Sequence, residues 1–268
     1  MRNILFHGLL LFLFSLYGNA DLTFAQLRDF PWCVAHRGYS YLENSIAAVE
    51  AAIQAGADAI ELDVRHSNDG HALVHHDSRL KRTSKNRKGK SCRLHTPISS
   101  QEFATIRDNC VLKNDEELPS LEAMLGYFVG LDQVLIIEFK DSPSKETLDT
   151  MRKFQDKSIN LVAVSFEQKI LDTLARLDLV FQEPIKLIWL TPIPVYLPQR
   201  FDGIGPYIIS DGMIAHLRQN QKFIDIWTVD RPRKMKSLFS KGVHMITTNR
   251  IETCLNVKSR IKPSSRKS

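Results

Sequence analysis

Three acidic residues with a restricted spacing are the first sign of chemistry in this 268-residue sequence. Glu61 and Asp63 flank Leu62 in an apolar run, so on a β-strand both carboxylates would point to the same face. Two like charges in an apolar interior are costly unless a cation lies between them. Glu138, in another apolar run, would complete a three-carboxylate site, and such oxygen ligands favour Mg²⁺ or Ca²⁺. The alternative is a buried ion network with Lys or Arg.

Two histidines and two basic residues flank the same kind of apolar run. His36 and His76 are candidates for a general acid and a general base, because imidazole exchanges protons near neutral pH. Arg37 can donate two parallel hydrogen bonds to a phosphate, and Lys140 can supply a second positive charge. Together with a divalent cation, these groups match the needs of phosphodiester cleavage.

The elements that would position these residues alternate between short β-branched runs and stretches of helical period. This alternation favours the α/β class, with a parallel sheet and helical crossovers. The runs that qualify as strands are Trp32 to Ala35, Ala59 to Val64, Ala72 to His75, Gln133 to Phe139, Asn160 to Ser165, Ile185 to Leu190, Tyr207 to Ser210, Ile224 to Val229 and Val243 to Thr247. A barrel has eight places, so one of these runs is misassigned or lies outside it, and Tyr207 to Ser210 has the weakest pattern. The polar residues fall at strand ends, which share one face of a barrel.

A series of short motifs resembles the glycerophosphodiester phosphodiesterase family. The motifs follow the family's order, and the match covers roughly residues 32–252. They are His36-Arg37-Gly38, Glu43-Asn44-Ser45, Ile60-Glu61-Leu62-Asp63-Val64, His76-Asp77, Pro119-Ser120-Leu121-Glu122, Ile137-Glu138-Phe139-Lys140, Ser165-Phe166, Trp227-Thr228-Val229-Asp230 and Gly242-Val243-His244-Met245-Ile246-Thr247-Thr248-Asn249-Arg250. Their order and number make the match more specific than any single motif.

The resemblance implies a single TIM-type (β/α)8 barrel with a small cap inserted after the third strand, from Ser78 to about Leu118. It implies that the metal ligands are Glu61, Asp63 and Glu138. The acid and base pair would be His36 and His76, and the phosphate contacts would be Arg37 and Lys140. It adds Glu43, near the metal and the glycerol hydroxyls. It also adds Trp227, which would stack on the apolar side of the substrate, although a buried core tryptophan is an equal alternative.

Three positions depart from the family pattern. Ser45 stands where the family usually has Thr, a change that keeps a hydroxyl for helix capping. Asp230 replaces the usual Asn, and Asn249 replaces the usual Asp of the final loop. We interpret the last two as loop hydrogen-bonding positions that contact none of the proposed catalytic groups.

The first twenty residues form a secretory signal pattern. A basic residue precedes an apolar run from Ile4 to Leu16, and small or polar residues follow up to Ala20. The run is shorter than the about 20 residues of a membrane span, so we expect cleavage after Ala20, with Ala25 as second choice and an uncleaved anchor as the alternative. The barrel domain would then occupy residues 21–257, with a basic tail at 258–268, in an exported protein that is periplasmic or secreted.

Export would place the four cysteines in an oxidising compartment. Cys92 and Cys110 flank one segment and form the expected disulfide. Cys33 falls in an apolar run, where we expect a small buried side chain.

The chain carries a net charge of +6, and two basic runs account for this excess. Residues 79–93 hold eight basic residues and no acidic one, and the last eleven residues hold five more. Such runs usually belong to solvated loops and tails. The alternative is attraction to an anionic membrane surface or to phosphorylated substrates. Neither run contains stacking aromatics or a nucleic-acid motif, so we expect no nucleic-acid partner. We assume a monomer.

The resemblance implies hydrolysis of a small glycerophosphodiester to glycerol phosphate and an alcohol. Two alternatives use the same barrel on lipid: a lysophospholipase D acting on lysophospholipids, and a sphingomyelinase D-like phosphodiesterase. A third is a non-catalytic phospholipid binder, although such a binder has no need for two histidines.

Overall fold

A closed barrel of parallel strands forms the centre of the molecule. The computed structural model describes residues 31–176, 184–193 and 196–261. The strands in these residues are β1 (Trp32–His36), β2 (Ala59–His66), β3 (Ala72–Val74), β4 (Ser84–Asn86), β5 (Cys110–Leu112), β6 (Val134–Phe139), β7 (Asn160–Ser165), β8 (Lys186–Thr191), β9 (Gly203–Pro206), β10 (Phe223–Ile226) and β11 (Met245–Thr248). β1, β2 and β6 to β11 pair side by side, and pairing of β1 with both β2 and β11 closes the ring. The predicted TIM-type barrel is confirmed.

Helices connect the parallel strands and pack around them. Those described are α1 (Ile46–Gln54), α2 (Phe103–Asn109), α3 (Leu121–Phe128), α4 (Lys145–Lys153), α5 (Gln168–Ala175), α6 (Asp211–Gln219), α7 (Pro232–Ser240) and α8 (Ile251–Ser259). Four begin at a serine whose Oγ accepts a first-turn backbone N–H: Ser45, Ser120, Ser144 and Ser210. Within the described ranges, no helix has the length and hydropathy to cross a bilayer. The predicted signal segment lies outside them.

Two of the nine predicted strands differ from the structure. The run at Ala72 to His75 forms β3, but β3 pairs antiparallel with the end of β2 and is not a barrel strand. The prediction of a strand at Tyr207 to Ser210 is wrong, because the strand is β9, directly before it. Its Gly-Ile-Gly-Pro sequence has low β-propensity. The barrel nevertheless requires glycine there, since a Cβ at Gly203 would lie 2.7 Å from the Cβ of Phe223.

Side chains alternate along the strands between the barrel interior and the outer helices. The outer layer is the larger apolar cluster and contains Leu62 of β2. The inner cluster contains apolar residues from most of the barrel strands, such as Trp32 and Val34 on β1. Because side chains alternate along a strand, every second residue after these, towards the carboxyl end of the same strand, also points into the barrel.

The inserted cap after β3 has a small core of its own. It contains a two-stranded antiparallel sheet of β4 and β5, the helix α2 and two 3₁₀ turns. Leu80, Ile98 and Ile106 pack there against Cys92 and Cys110. These two cysteines form the expected disulfide. The disulfide offers one reason why a segment with few apolar residues keeps a defined structure.

A second disulfide corrects the prediction for Cys33. Cys33 on β1 is bonded to Cys254 on α8, 221 positions further along the chain. Both residues are fully buried in the outer apolar layer. The bond therefore connects the first barrel strand to the last described helix. Sequence spacing gave no sign of it, because the two positions become neighbours only when the barrel closes.

We expect this long-range disulfide to contribute substantially to stability. Replacing Cys33 and Cys254 together by alanine should lower the free energy of unfolding by about 2 to 5 kcal/mol, because a long closed loop restricts the unfolded chain most. Thermal unfolding of the double variant would measure this loss. The matched control is Cys92→Ala with Cys110→Ala, which opens a loop of only 18 residues and should cost less. An unchanged unfolding midpoint in the first variant would contradict the expectation.

Candidate active site at the carboxyl end of the barrel

The three acidic residues meet because two adjacent strands, β2 and β6, carry them on the side that faces the barrel interior. On β2, Glu61 and Asp63 follow the inward Ala59, and Glu138 on β6 follows the inward Ile136. Asp63 and Glu138 are direct partners in the parallel register of β2 and β6. The strands are thus apolar in their first half and acidic at their carboxyl end.

The cluster of Glu61, Asp63 and Glu138 is compact and buried. One carboxylate oxygen from each residue lies within 4.8 Å of the others. Burial, and then the charges of Asp63 and Glu138, raises the pKa of Glu61 well above its ordinary value. Glu61 Oε1 is buried and has no hydrogen-bond partner among the described residues. Ligand oxygens on opposite sides of Mg²⁺ or Ca²⁺ are about 4 to 5 Å apart, so the cluster fits such a cation.

Arg37 and Lys140 partly neutralise the same cluster. Lys140 Nζ lies 2.9 Å from Asp63 Oδ1 and 2.5 Å from Glu138 Oε1, and Arg37 Nε lies 3.1 Å from Asp63 Oδ2. Burial alone would raise the pKa of Asp63, but Lys140 and Arg37 outweigh it and the net shift is downward. Glu61 forms no such ion pair among the described residues. It therefore carries the acidic charge that is least compensated.

The turn after β1 fixes the backbone of Arg37. Arg37 has φ 61°, in the left-handed region that non-glycine residues rarely adopt, and Gly38 has φ 87°. A Cβ at Gly38 would lie 2.6 Å from the Cβ of Ala48 on α1, so only glycine fits there. The Arg37 backbone N–H donates to the carbonyl oxygen of Glu61 at 2.8 Å. This tight turn directs the guanidinium towards Asp63 and Glu43.

Asn44 orients Asp63 and was not given a site role from the sequence. Its Nδ2 donates to Asp63 Oδ2 at 2.8 Å, and its Oδ1 accepts the Asp63 backbone N–H at 3.0 Å. Asn44 also has φ 60°, a conformation that asparagine tolerates better than most residues. The left-handed conformation explains why an asparagine stands at this position. Its contact with Asp63 could not be predicted from the spacing of the two residues in the sequence.

His36 lies at the carboxyl end of β1, and its contact corrects one prediction. Its Nδ1 is 2.8 Å from Asn249 Oδ1. Asn249 was predicted to contact no catalytic candidate, and that prediction is wrong. The register explains the contact, since Ala35 pairs with Thr248 and the next residues therefore lie side by side. Burial, and then Arg37, lowers the pKa of His36 below its ordinary value.

His76 lies after β3, where the chain enters the cap. Its Nδ1 is 2.7 Å from Asp77 Oδ1, and the Asp77 carboxylate also accepts from Arg82 Nε at 2.7 Å. His75 is buried and turns away to contact Thr83 at 2.8 Å. Of the two adjacent histidines, His76 is therefore the more exposed.

Glu43 links the barrel to the cap. One of its oxygens accepts from Arg37 at 3.0 Å, and both accept from the Arg82 guanidinium at 2.6 Å. Arg82 binds Glu43 and Asp77 together, so this cap residue fixes two carboxylates beside the site. The role of Arg82 was not predicted, because its basic run resembles an ordinary solvated loop.

Trp227 belongs to an aromatic group on the other side of the barrel mouth. Its ring centroid lies 5.2 Å from that of Phe166 and 5.8 Å from that of Tyr207, both edge-on. The indole Nε1 donates to the carbonyl oxygen of Gly205 at 2.6 Å. Trp227 is half-buried, lies after β10 and packs against the inner apolar cluster, so it connects the barrel core to the barrel mouth.

A closed barrel with three buried carboxylates, two basic side chains and two imidazoles near its carboxyl face is the arrangement of a phosphodiester-cleaving enzyme of the TIM-barrel type. Residues 36–253 match the glycerophosphoryl diester phosphodiesterase family, and the chain belongs to this family. It is thus a phosphoric diester hydrolase.

Relatives agree with this assignment, and a solved structure agrees with the fold. A glycerophosphodiester phosphodiesterase from Bacillus altitudinis is 28% identical and aligns over 85% of this chain and 98% of its own length. Another, from Caldanaerobacter subterraneus, is 26% identical and aligns over 84% of this chain and 96% of its own length. The fold is similar to that of an Oleispira antarctica phosphodiesterase solved with the product sn-glycerol-3-phosphate. That structure has a TM-score of 0.70 and 19% identity, and covers 85% of this chain and 97% of its own.

Proposed function

We propose that this protein hydrolyses glycerophosphodiesters to glycerol phosphate and an alcohol, with Mg²⁺ or Ca²⁺ held by Glu61, Asp63 and Glu138. The observation that supports this most strongly is the buried carboxylate cluster, in which Glu61 Oε1 has no hydrogen-bond partner among the described residues. The product bound to the Oleispira antarctica phosphodiesterase is the glycerol phosphate that such a reaction would release.

The bound cation would neutralise charge on the phosphate oxygens. Arg37 and Lys140 lie beside the cluster and would bind the same phosphate, exchanging part of their contact with Asp63 for it. Glu43 would accept from the glycerol hydroxyls. These residues orient the diester without themselves transferring a proton.

His36 and His76 would move the protons. Each has its Nδ1 occupied, by Asn249 and Asp77 respectively, so each presents Nε2 to the substrate. One Nε2 would take the proton of the attacking hydroxyl as its oxygen bonds to phosphorus. The other would give a proton to the alcohol oxygen as its bond to phosphorus breaks. The two transfers balance, since one proton enters the pair and one leaves it.

The direct test is turnover of glycerophosphocholine by the purified protein. We expect release of choline and glycerol phosphate that EDTA abolishes and that added Mg²⁺ or Ca²⁺ restores. Full activity in EDTA, or no turnover with either cation, would contradict the proposal. Assays with each cation separately would identify the one that supports catalysis.

Exposed apolar side chains favour a second candidate, hydrolysis of a lysophospholipid. Five of the seven large apolar residues that are exposed in the described chain follow β7, β8 or β9: Phe166, Ile193, Tyr196, Tyr207 and Ile208. These strands end at the face where the carboxylates lie. An apolar rim of this kind could accept an acyl chain.

Glycerophosphocholine and lysophosphatidylcholine distinguish the two candidates. For the leading proposal we expect a higher kcat/KM with glycerophosphocholine, and Tyr207→Ala should leave that value within about threefold. A higher kcat/KM with lysophosphatidylcholine, lost in Tyr207→Ala alone, would establish the second candidate instead.

We further propose that the protein is exported and acts as a monomer, in the periplasm or outside the cell. The N-terminal signal pattern and the two disulfides support export, since disulfides persist in oxidising compartments. The cap carries an open, basic depression lined by Arg79, Lys81 and Lys113. This depression would attract an anionic membrane surface, together with the basic tail.

A further inference from the structure

We propose that Asn249 and Asp230 are positioning residues that set the tautomer of His36. This inference rests on the proposed function, in which His36 transfers a proton at Nε2. Neither residue approaches the carboxylate cluster by any contact that the structure shows. Their influence would pass through the hydrogen bond between Asn249 Oδ1 and His36 Nδ1, which is 2.8 Å long.

The barrel places Asn249 beside His36. On β11, Met245 and Thr247 point into the barrel, and Asn249 continues this inward phase one step beyond the strand end. On β1, Val34 has the same phase and His36 continues it. Since β1 and β11 pair in parallel, the two side chains are neighbours at the barrel mouth.

Asp230 determines which way the Asn249 amide faces. Asp230 Oδ2 accepts from Asn249 Nδ2 at 3.0 Å, and Asp230 Oδ1 accepts the Asn249 backbone N–H at 2.8 Å and the Thr248 hydroxyl at 2.9 Å. A carboxylate can only accept, so the amide must turn its NH₂ group towards Asp230. Asn249 Oδ1 must then face His36.

The orientation of the amide fixes the proton on the imidazole. Facing a carbonyl oxygen, His36 Nδ1 must carry the hydrogen, and in the neutral ring Nε2 keeps its lone pair. Nε2 is then ready to accept a proton from an attacking hydroxyl. If the amide were reversed, its NH₂ group would face Nδ1, the hydrogen would move to Nε2, and the ring could not act as the acceptor.

Reciprocal substitution tests this pair. Asp230→Asn leaves one accepting oxygen where the carboxylate has two, so the side chain can no longer accept from both the backbone N–H and the Nδ2 of Asn249. Asn249→Asp places two carboxylates against each other. We expect each single variant to lose about ten- to a hundredfold in kcat, with KM changed less than about threefold, because both residues would act through His36 and have no substrate contact in the proposed mechanism. The double variant again pairs one amide with one carboxylate and should recover most of the lost kcat.

A matched control is Asp132→Asn, an exposed carboxylate before β6 at the opposite end of the barrel, which should keep wild-type kcat. Wild-type kcat in Asp230→Asn would overturn the inference. A double variant no more active than the poorer single variant would overturn it as well.

Nitrogen-15 NMR of the imidazole gives a readout that does not depend on activity. At a pH where His36 is neutral, we expect the hydrogen on Nδ1 in the wild type and a shift towards Nε2 in Asp230→Asn. A hydrogen on Nε2 in the wild type would overturn the inference even if the enzyme is active. If turnover is absent but Nδ1 carries the hydrogen, the proposed function fails and the tautomer assignment stands.

Discussion

Replacing Glu61 or Asp63 by alanine is expected to abolish the metal-dependent turnover of glycerophosphocholine without unfolding the barrel. Both carboxylates are buried and belong to the cluster whose oxygens lie within 4.8 Å. Either change would leave two carboxylates, too few to hold the cation in its place. Retention of more than about a tenth of wild-type kcat, a barrier change below about 1.4 kcal/mol, would contradict the expectation.

The two variants should differ in stability when the metal has been removed. The pKa of Glu61 is raised in the folded protein, so folding favours the protonated carboxyl group. As the pH rises and Glu61 loses its proton, the free energy of unfolding therefore falls. Glu61→Ala should therefore unfold in EDTA at a temperature equal to or above that of the wild type. Asp63→Ala should unfold lower, because the buried Lys140 and Arg37 lose a partner.

Added Mg²⁺ or Ca²⁺ should raise the unfolding temperature of the wild type but not of either variant. The exposed Glu122 on α3 provides a matched control, since it pairs with the exposed Lys153 and is no part of the cluster. Glu122→Ala should keep both activity and cation response. Equal stabilisation of Glu61→Ala and wild type by the cation would show that the cluster is not its site.

Removing either imidazole should have the second large effect. His36→Ala and His76→Ala are each expected to lower kcat by about 10² to 10⁴, the usual contribution of a general acid or base. KM and stabilisation by the cation should stay close to wild type, since the carboxylate cluster is intact. Steady-state kinetics with glycerophosphocholine and thermal unfolding with and without cation measure both quantities.

His216→Ala is the matched control for the histidine variants, because His216 is exposed on α6 and should be replaceable without loss of activity. A histidine variant that keeps more than about a tenth of kcat would remove that residue from the mechanism. If the wild type itself binds a phosphodiester without turnover, and both histidine variants bind equally, the protein is a phospholipid binder and not an enzyme.

The sequence alone predicted the chemistry and its location in the fold. The two-residue spacing of Glu61 and Asp63 determined that both point inward, because side chains alternate along any strand. The position of His36 and Glu138 at the ends of apolar runs placed them on the carboxyl face of a barrel. These predictions depended on local periodicity and local residue type, which the sequence records directly.

The tertiary structure decided which of these residues touch one another. Cys33 bonds to Cys254, and Asn249 contacts His36, only because closing the barrel brings its last elements against β1. Arg82 reaches Glu43 only because the cap folds back over the barrel mouth. Periodicity shows which face a side chain occupies, but partners across strands depend on register and ring closure, which are set by packing of the whole chain.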